Sequence, residues 1–140
     1  MRRGIIALLL MLSPSASAAH GAWSATAAGP MLSVGRQAYA GQPLRPHGAL
    51  PADARVSRIS WRISLLAPPP PGLEIKLCSA AACIALDRLA GQRTVKQPFA
   101  PGAAFRFVYQ VNTTGELRPP VQVVSNQLTV NYQWAIPAGH

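Results

Sequence analysis

The chain has 140 residues, and its thirteen Lys and Arg against four Asp and Glu give a formal net charge of +9 at pH 7. That is one domain's worth of chain, long enough for a real hydrophobic core. The basic balance permits acidic partners, but the cations are scattered and mostly Arg. No Lys/Arg block interleaved with aromatics is present, which argues against nucleic acid.

Residues 1–18 read as a secretory signal peptide. Arg2 and Arg3 form a basic start, the run GIIALLLML follows, Ser13-Pro14-Ser15 breaks it, and Ala16-Ser17-Ala18 offers a small-residue cleavage site. The apolar run falls short of the roughly 20 residues a membrane helix needs. No later stretch is long and apolar enough for one, so the expected product is a periplasmic chain without a membrane span. Cleavage removes Arg2 and Arg3 and lowers the net charge from +9 to +7. A domain over 19–132 and a flexible tail over 133–140 are expected.

A short first strand is expected around Trp23, over 21–27, and a second over 31–39, with Leu32, Val34 and Tyr39 as its apolar members. Residues 40–55, rich in Gly, Pro, Arg and Asp, read as a loop. Residues 57–66 carry the clearest pattern. Ile59, Trp61, Ile63 and Leu65 share one face, and Arg58, Ser60, Arg62 and Ser64 share the other. This period of two is that of a half-buried strand. The prolines at 68–71 and Gly72 cannot supply ladder donors and must form a connection.

Alternation resumes over 73–78 and 83–87, with Leu73, Ile75, Leu77, Ile84 and Leu86 inward. Cys78 and Cys83 then fall on the outer face of one hairpin, where a disulfide could close it. Residues 88–102 are broken by Gly and Pro, with room for one short strand near 93–95. A clean strand covers 104–111, where Phe105, Phe107, Tyr109 and Val111 point inward and Arg106 and Gln110 outward. A turn at 112–115 leads to a last strand over 121–132. Its apolar parity shifts near Ser125-Asn126, which predicts a bulge or a strand that switches sheets. Trp134 lies beyond this strand, in a position expected to be exposed. No segment after the leader has a helical period. Short strands between turn signals indicate an all-β fold, an antiparallel β-sandwich in a single domain after signal-peptide removal.

Two close cysteines in an exported chain point to one structural disulfide, Cys78–Cys83. The redox spacing of two intervening residues is absent, and His20, His47 and His140 stand in no ligand spacing, so neither metal nor cofactor is expected. Asp53, Glu74, Asp87 and Glu116 form no local acid/base pair, and no nucleophile elbow, zinc helix or phosphate loop occurs. The expectation is a non-enzyme. Arg58, Arg62, Lys76 and Arg106 all lie on the solvent phase of strands. If those strands are sheet neighbours, the four cations make one basic face for an anionic partner. The other reading is a sheet face kept soluble and protected from edge pairing.

Taken in order, Gly21-Ala22-Trp23, Ser60-Trp61-Arg62, Gly72-Leu73, Leu77-Cys78-Ser79, Cys83, Leu86-Asp87, Phe105-Arg106-Phe107-Val108, Ser125-Asn126-Gln127 and Val130-Asn131-Tyr132 resemble the flagellar FlhE family. The resemblance spans almost all of 21–132, through the order and spacing of its parts. The four-proline run and the last eight residues depart from the family pattern. The resemblance implies a periplasmic β-sandwich that supports flagellar function and swarming and limits proton leak through the export apparatus. It implies contact with export-apparatus or rod proteins and supplies no catalytic residue. A periplasmic chaperone for rod or other exported subunits is an alternative, and so is a carbohydrate or peptidoglycan-binding module.

Overall fold

The computed structural model describes residues 18–80 and 82–136. Most of the expected leader and the last four residues of the expected tail lie outside them. Nine strands are described: β1 Ala18–Ala27, β2 Met31–Val34, β3 Tyr39–Ala40, β4 Arg55–Leu65, β5 Leu73–Cys78, β6 Cys83–Leu86, β7 Ala90–Thr94, β8 Arg106–Val111 and β9 Glu116–Ala135. No helix occurs among the described residues. The first sheet runs β1-β9-β4-β7, with β2 also on β9, and the second runs β3-β8-β5-β6. Every named pairing is antiparallel. The expected two-sheet sandwich is the observed fold.

The period-two segments form strands because one side of each is apolar and finds the opposing sheet. Ile59, Trp61 and Ile63 of β4 and Leu128 and Val130 of β9 meet Leu77 of β5 and Phe107, Tyr109 and Val111 of β8 in one buried cluster. Rings fill one end of it. Trp23 lies 6.0 Å from Phe105, and Phe99 lies 5.6 Å from Phe105, both in tilted arrangements. Trp23 Nε1 donates to the Pro101 carbonyl at 2.9 Å and Trp61 Nε1 to that of Arg88 at 2.9 Å. Both indoles therefore bury their area without stranding a donor.

Two bulges reconcile the sequence parity with the sheet. Ser64 faces Ser125 while Leu65 faces Val123, so Val124 is an extra residue in β9. Val121 and Val123 before it, and Asn126, Leu128 and Val130 after it, thereby all point inward. The parity shift expected near Ser125 is this bulge, and β9 stays in one sheet. A second irregularity lies between Val56 and Arg58, where Ser57 bonds the Asn131 carbonyl through its hydroxyl at 3.2 Å.

Other expectations need correction. The second strand expected over 31–39 is two strands in different sheets. Arg36 adopts a left-handed φ of 61°, and the Arg36 amide donates to the Val111 carbonyl at 2.8 Å, which carries the chain across to β8. The Tyr39 hydroxyl accepts from the amides of Ser33 and Val34 and pins this crossing. The last strand does not stop at Tyr132. Gln133, Trp134 and Ala135 continue β9, opposite His20, Ala19 and Ala18. Trp134 is half-buried and stacks on Tyr132, with ring centroids 5.6 Å apart, rather than standing exposed. Gly21 lies opposite Tyr132, whose ring occupies the space a side chain there would need. Within the expected loop, Leu44 bridges to Phe105 and is buried.

Among the described residues, three buried side-chain polar atoms lack a hydrogen-bond partner: the Tyr109 hydroxyl and both amide atoms of Asn126. Burial pushes the Tyr109 pKa upward, because the neutral phenol is the form the core accepts. That contribution to stability is fully present below the ordinary tyrosine value of about 10 and is lost as the pH rises through and above it. Replacing Tyr109 by Phe removes an unbonded hydroxyl from the core. Stability at neutral pH is expected to stay unchanged or rise by about 1 kcal/mol, and the alkaline loss to become shallower. Urea unfolding midpoints of both proteins across pH 7 to roughly 11 check this; a clear loss at neutral pH would show that the hydroxyl is bonded.

Candidate functional site

The sandwich divides the expected contact residues between its two outer faces. Arg58 and Arg62 stand on β4 in the first sheet, while Lys76 on β5 and Arg106 on β8 stand in the second. All four side chains are exposed, but they do not form one basic face. The condition for that, adjacency of β4 with β5 and β8, fails because the proline connection after β4 carries the chain to the opposite sheet. Alternation along each strand reports in or out, and both outward faces look alike in it.

On the second sheet, Lys76 pairs with Val108 and Ala85, and Arg106 lies opposite Cys78. Cys78 faces Cys83 directly in the β5–β6 register and is bonded to it, with the Cα atoms 4.0 Å apart. The Ser79 amide donates to the Ala82 carbonyl at 2.9 Å and closes the link. Glu74 stands two residues from Lys76 on the same strand, so this face carries both signs.

The outer face of the first sheet has a different chemistry. Its cross-strand rows read Ala22–Asn131–Arg58–Thr94, Ser24–Thr129–Ser60–Gln92 and Thr26–Gln127–Arg62–Ala90. A further row joins His20, Gln133 and Arg55. No acidic side chain stands in these rows. Asp87 pairs with Arg88 at 3.4 Å and Glu116 with Arg118 at 2.9 Å, both in the open, where such pairs contribute little. Asp53 lies in the loop before β4. Arg55, Arg58 and Arg62 have no ion pair or side-chain hydrogen bond among the described residues. Between the Arg58 and Arg62 rows stand Ser24, Thr129, Ser60 and Gln92. A depression of about 720 Å³ opens over this row and the Arg62 row, lined by polar Gln92, Gln127 and Thr129 and, toward β7, by Trp61 and Gly91, with Arg58 outside it. The sequence showed the arginines, but it could not show the amide and hydroxyl rows, which are assembled from four strands distant in the chain.

Among the described residues, no group of three or more His, Cys, Asp or Glu is placed to hold a metal ion. No helix among them is long and apolar enough to cross a membrane. Of the aromatic rings, all but Tyr39, Tyr132 and Trp134 are buried.

These features define the class: a disulfide-bearing, two-sheet antiparallel β-sandwich with basic residues on both outer faces. The family profile described as "Flagellar protein FlhE" matches residues 29–133. Relatives of that name include one from Salmonella typhimurium, 35% identical and covering 95% of this chain and 100% of its own. Another, from Yersinia enterocolitica, is 34% identical and covers 94% and 96%. A third, from Escherichia coli K12, is 30% identical and covers 94% and 99%. A solved structure titled "Crystal Structure of FLHE" superposes with a TM-score of 0.74 at 32% identity, covering 81% of this chain and 96% of that one. The chain belongs to the flagellar protein FlhE family.

The disulfide lies on the second sheet and closes a short loop, and among the described residues no group of His, Cys, Asp or Glu is gathered to hold a metal there. Replacing Cys78 and Cys83 together by Ser should therefore cost about 2 kcal/mol or less and leave function in place. Thermal melts and complementation of a strain lacking the gene check both parts. A double variant that melts like the parent but fails to complement would show that the bond has more than a structural role.

Proposed function

We propose that this protein is an exported, non-enzymatic accessory of flagellar assembly that acts in the periplasm through protein–protein contact. In this reading it limits proton leak through the flagellar export apparatus, by binding the apparatus or the rod from the periplasmic side. Membership of the FlhE family is the observation that carries the reading. Three features of the chain support it. The leader pattern over 1–18 is that of an exported protein. The Cys78–Cys83 disulfide suits an oxidising compartment. Asp87 and Glu116 stand exposed beside Arg88 and Arg118, and among the described residues neither is paired with a second acid or base group.

One observation favours a second reading, a chaperone for exported subunits. β1 is an edge strand of ten residues with no Lys, Arg, Asp, Glu or Pro. Edge strands without such protection accept extended segments from other chains.

Cytoplasmic pH in a strain lacking the gene, held in mildly acidic medium, separates the two. The first reading expects the interior to acidify, and to do so only while the export apparatus is present. An unchanged pH with and without the apparatus would set leak control aside and put the chaperone reading first.

A further inference from the structure

The first sheet's outer face combines cations without counter-charges, a shallow trough and a floor of paired donors and acceptors. Arg58 and Arg62 point the same way from one strand, four residues apart, which places their Cα atoms about 13 Å from each other. No acid stands in their rows, and neither guanidinium has a partner among the described residues. An exposed guanidinium without a partner keeps its full hydrogen-bonding capacity and matches a carboxylate in bidentate geometry.

The floor between them is mainly polar, with Trp61 and Gly91 reaching it only from the β7 side. Ser60, Thr129 and Ser24 cross it in one row, with Ser24 and Thr129 hydrogen-bonded through their hydroxyls at 2.7 Å. Gln127, beside Arg62, and Asn131, beside Arg58, add side-chain amides in the rows that flank this one. Amides both donate and accept, as a peptide main chain requires. Sugar rings, by contrast, call for exposed aromatic faces, and these rows contain none.

We propose that the outer face of the β1-β9-β4-β7 sheet binds an extended acidic segment of a partner polypeptide. Its carboxylates would sit on Arg58 and Arg62, and its main chain would cross the hydroxyl and amide floor between them. The inference rests on the proposed role in protein–protein contact and names the chemistry of that contact. An extended strand repeats its side-chain direction every two residues. Carboxylates four residues apart along the partner therefore match the Arg58–Arg62 spacing. Lys76 and Arg106, on the opposite face, take no part.

The test uses the purified protein and a fluorescent synthetic peptide of repeated Glu-Ser-Thr-Ser, followed by anisotropy. Binding that weakens with salt is expected, with affinity reduced about tenfold or more in an Arg58→Gln/Arg62→Gln variant that melts like the parent. A Lys76→Gln/Arg106→Gln variant is expected to bind as the parent does. Equal loss in both variants would overturn the proposal, because net charge alone would then explain the binding. Failure to bind the peptide, or binding of polygalacturonate in its place, would overturn it too. Such a failure leaves the cytoplasmic-pH measurement untouched, since that readout does not depend on which surface makes the contact.

Discussion

Pairing with β9 is the constraint on which the first sheet depends. This strand of twenty residues carries β1 and β2 on one side and β4 on the other, so only β7 in that sheet does not touch it. A strand that long twists, and a strict alternation along it would turn half of its apolar residues away from the opposing sheet. The extra residue at Val124 resets the parity once. Val121 and Val123 then cover one end of the core, and Leu128 and Val130 the other. Across from the bulge, the edge strand is interrupted as well. Ala28, Gly29 and Pro30 separate β1 from β2, and the backbones of the last two exchange hydrogen bonds with Val123 at 3.2 and 3.0 Å. Both neighbours of β9 thus adapt to the same irregularity.

The strands with clean alternation were readable in the sequence. The segments around Trp61, Leu77 and Phe107 have one apolar and one polar side, and no competing period. The parity break in β9 was readable too, but the sequence left a bulge and a sheet switch both open, and only the β4–β9 register decides for the bulge. Leu44, Val95 and Phe99 were harder to find. Each is buried, yet each sits among Gly, Pro and charged residues in segments without period. They fill the open margins of the sandwich, and only the completed sheets create the space they occupy. The extension of β9 through Trp134 was hidden for a related reason. Its partner is β1, more than a hundred residues earlier, and Gly21 gives no apolar signal because the Tyr132 ring fills its place.

The same limit governed the surface. Alternation placed Arg58, Arg62, Lys76 and Arg106 outward correctly, but outward has two meanings in a sandwich. Strand order decides between them, and strand order is non-local. β4 neighbours β9 and β7, whereas β5 neighbours β8 and β6. The polar rows of the first sheet are still less visible to sequence. Gln127, Thr129 and Asn131 look like ordinary solvent-facing positions of a strand. They become a continuous polar strip beside two free arginines only when β4 and β9 are in register.

The scarcity of acids gives these placements their electrostatic weight. Two of the four carboxylates are taken by nearby arginines, Asp87 by Arg88 and Glu116 by Arg118. Glu74 lies on the second sheet and Asp53 in a loop. The cations of β4 therefore keep their field, and screening by salt is the main influence that weakens it. In this chain, one sheet face holds the disulfide and mixed charge, while the other presents unpaired arginines over a mainly polar floor. Affinity for anionic partners should accordingly follow the face rather than the net charge, because the charge on Lys76 and Arg106 is separated from the β4 arginines by the full thickness of the sandwich, about 10 Å between sheets before side chains are counted.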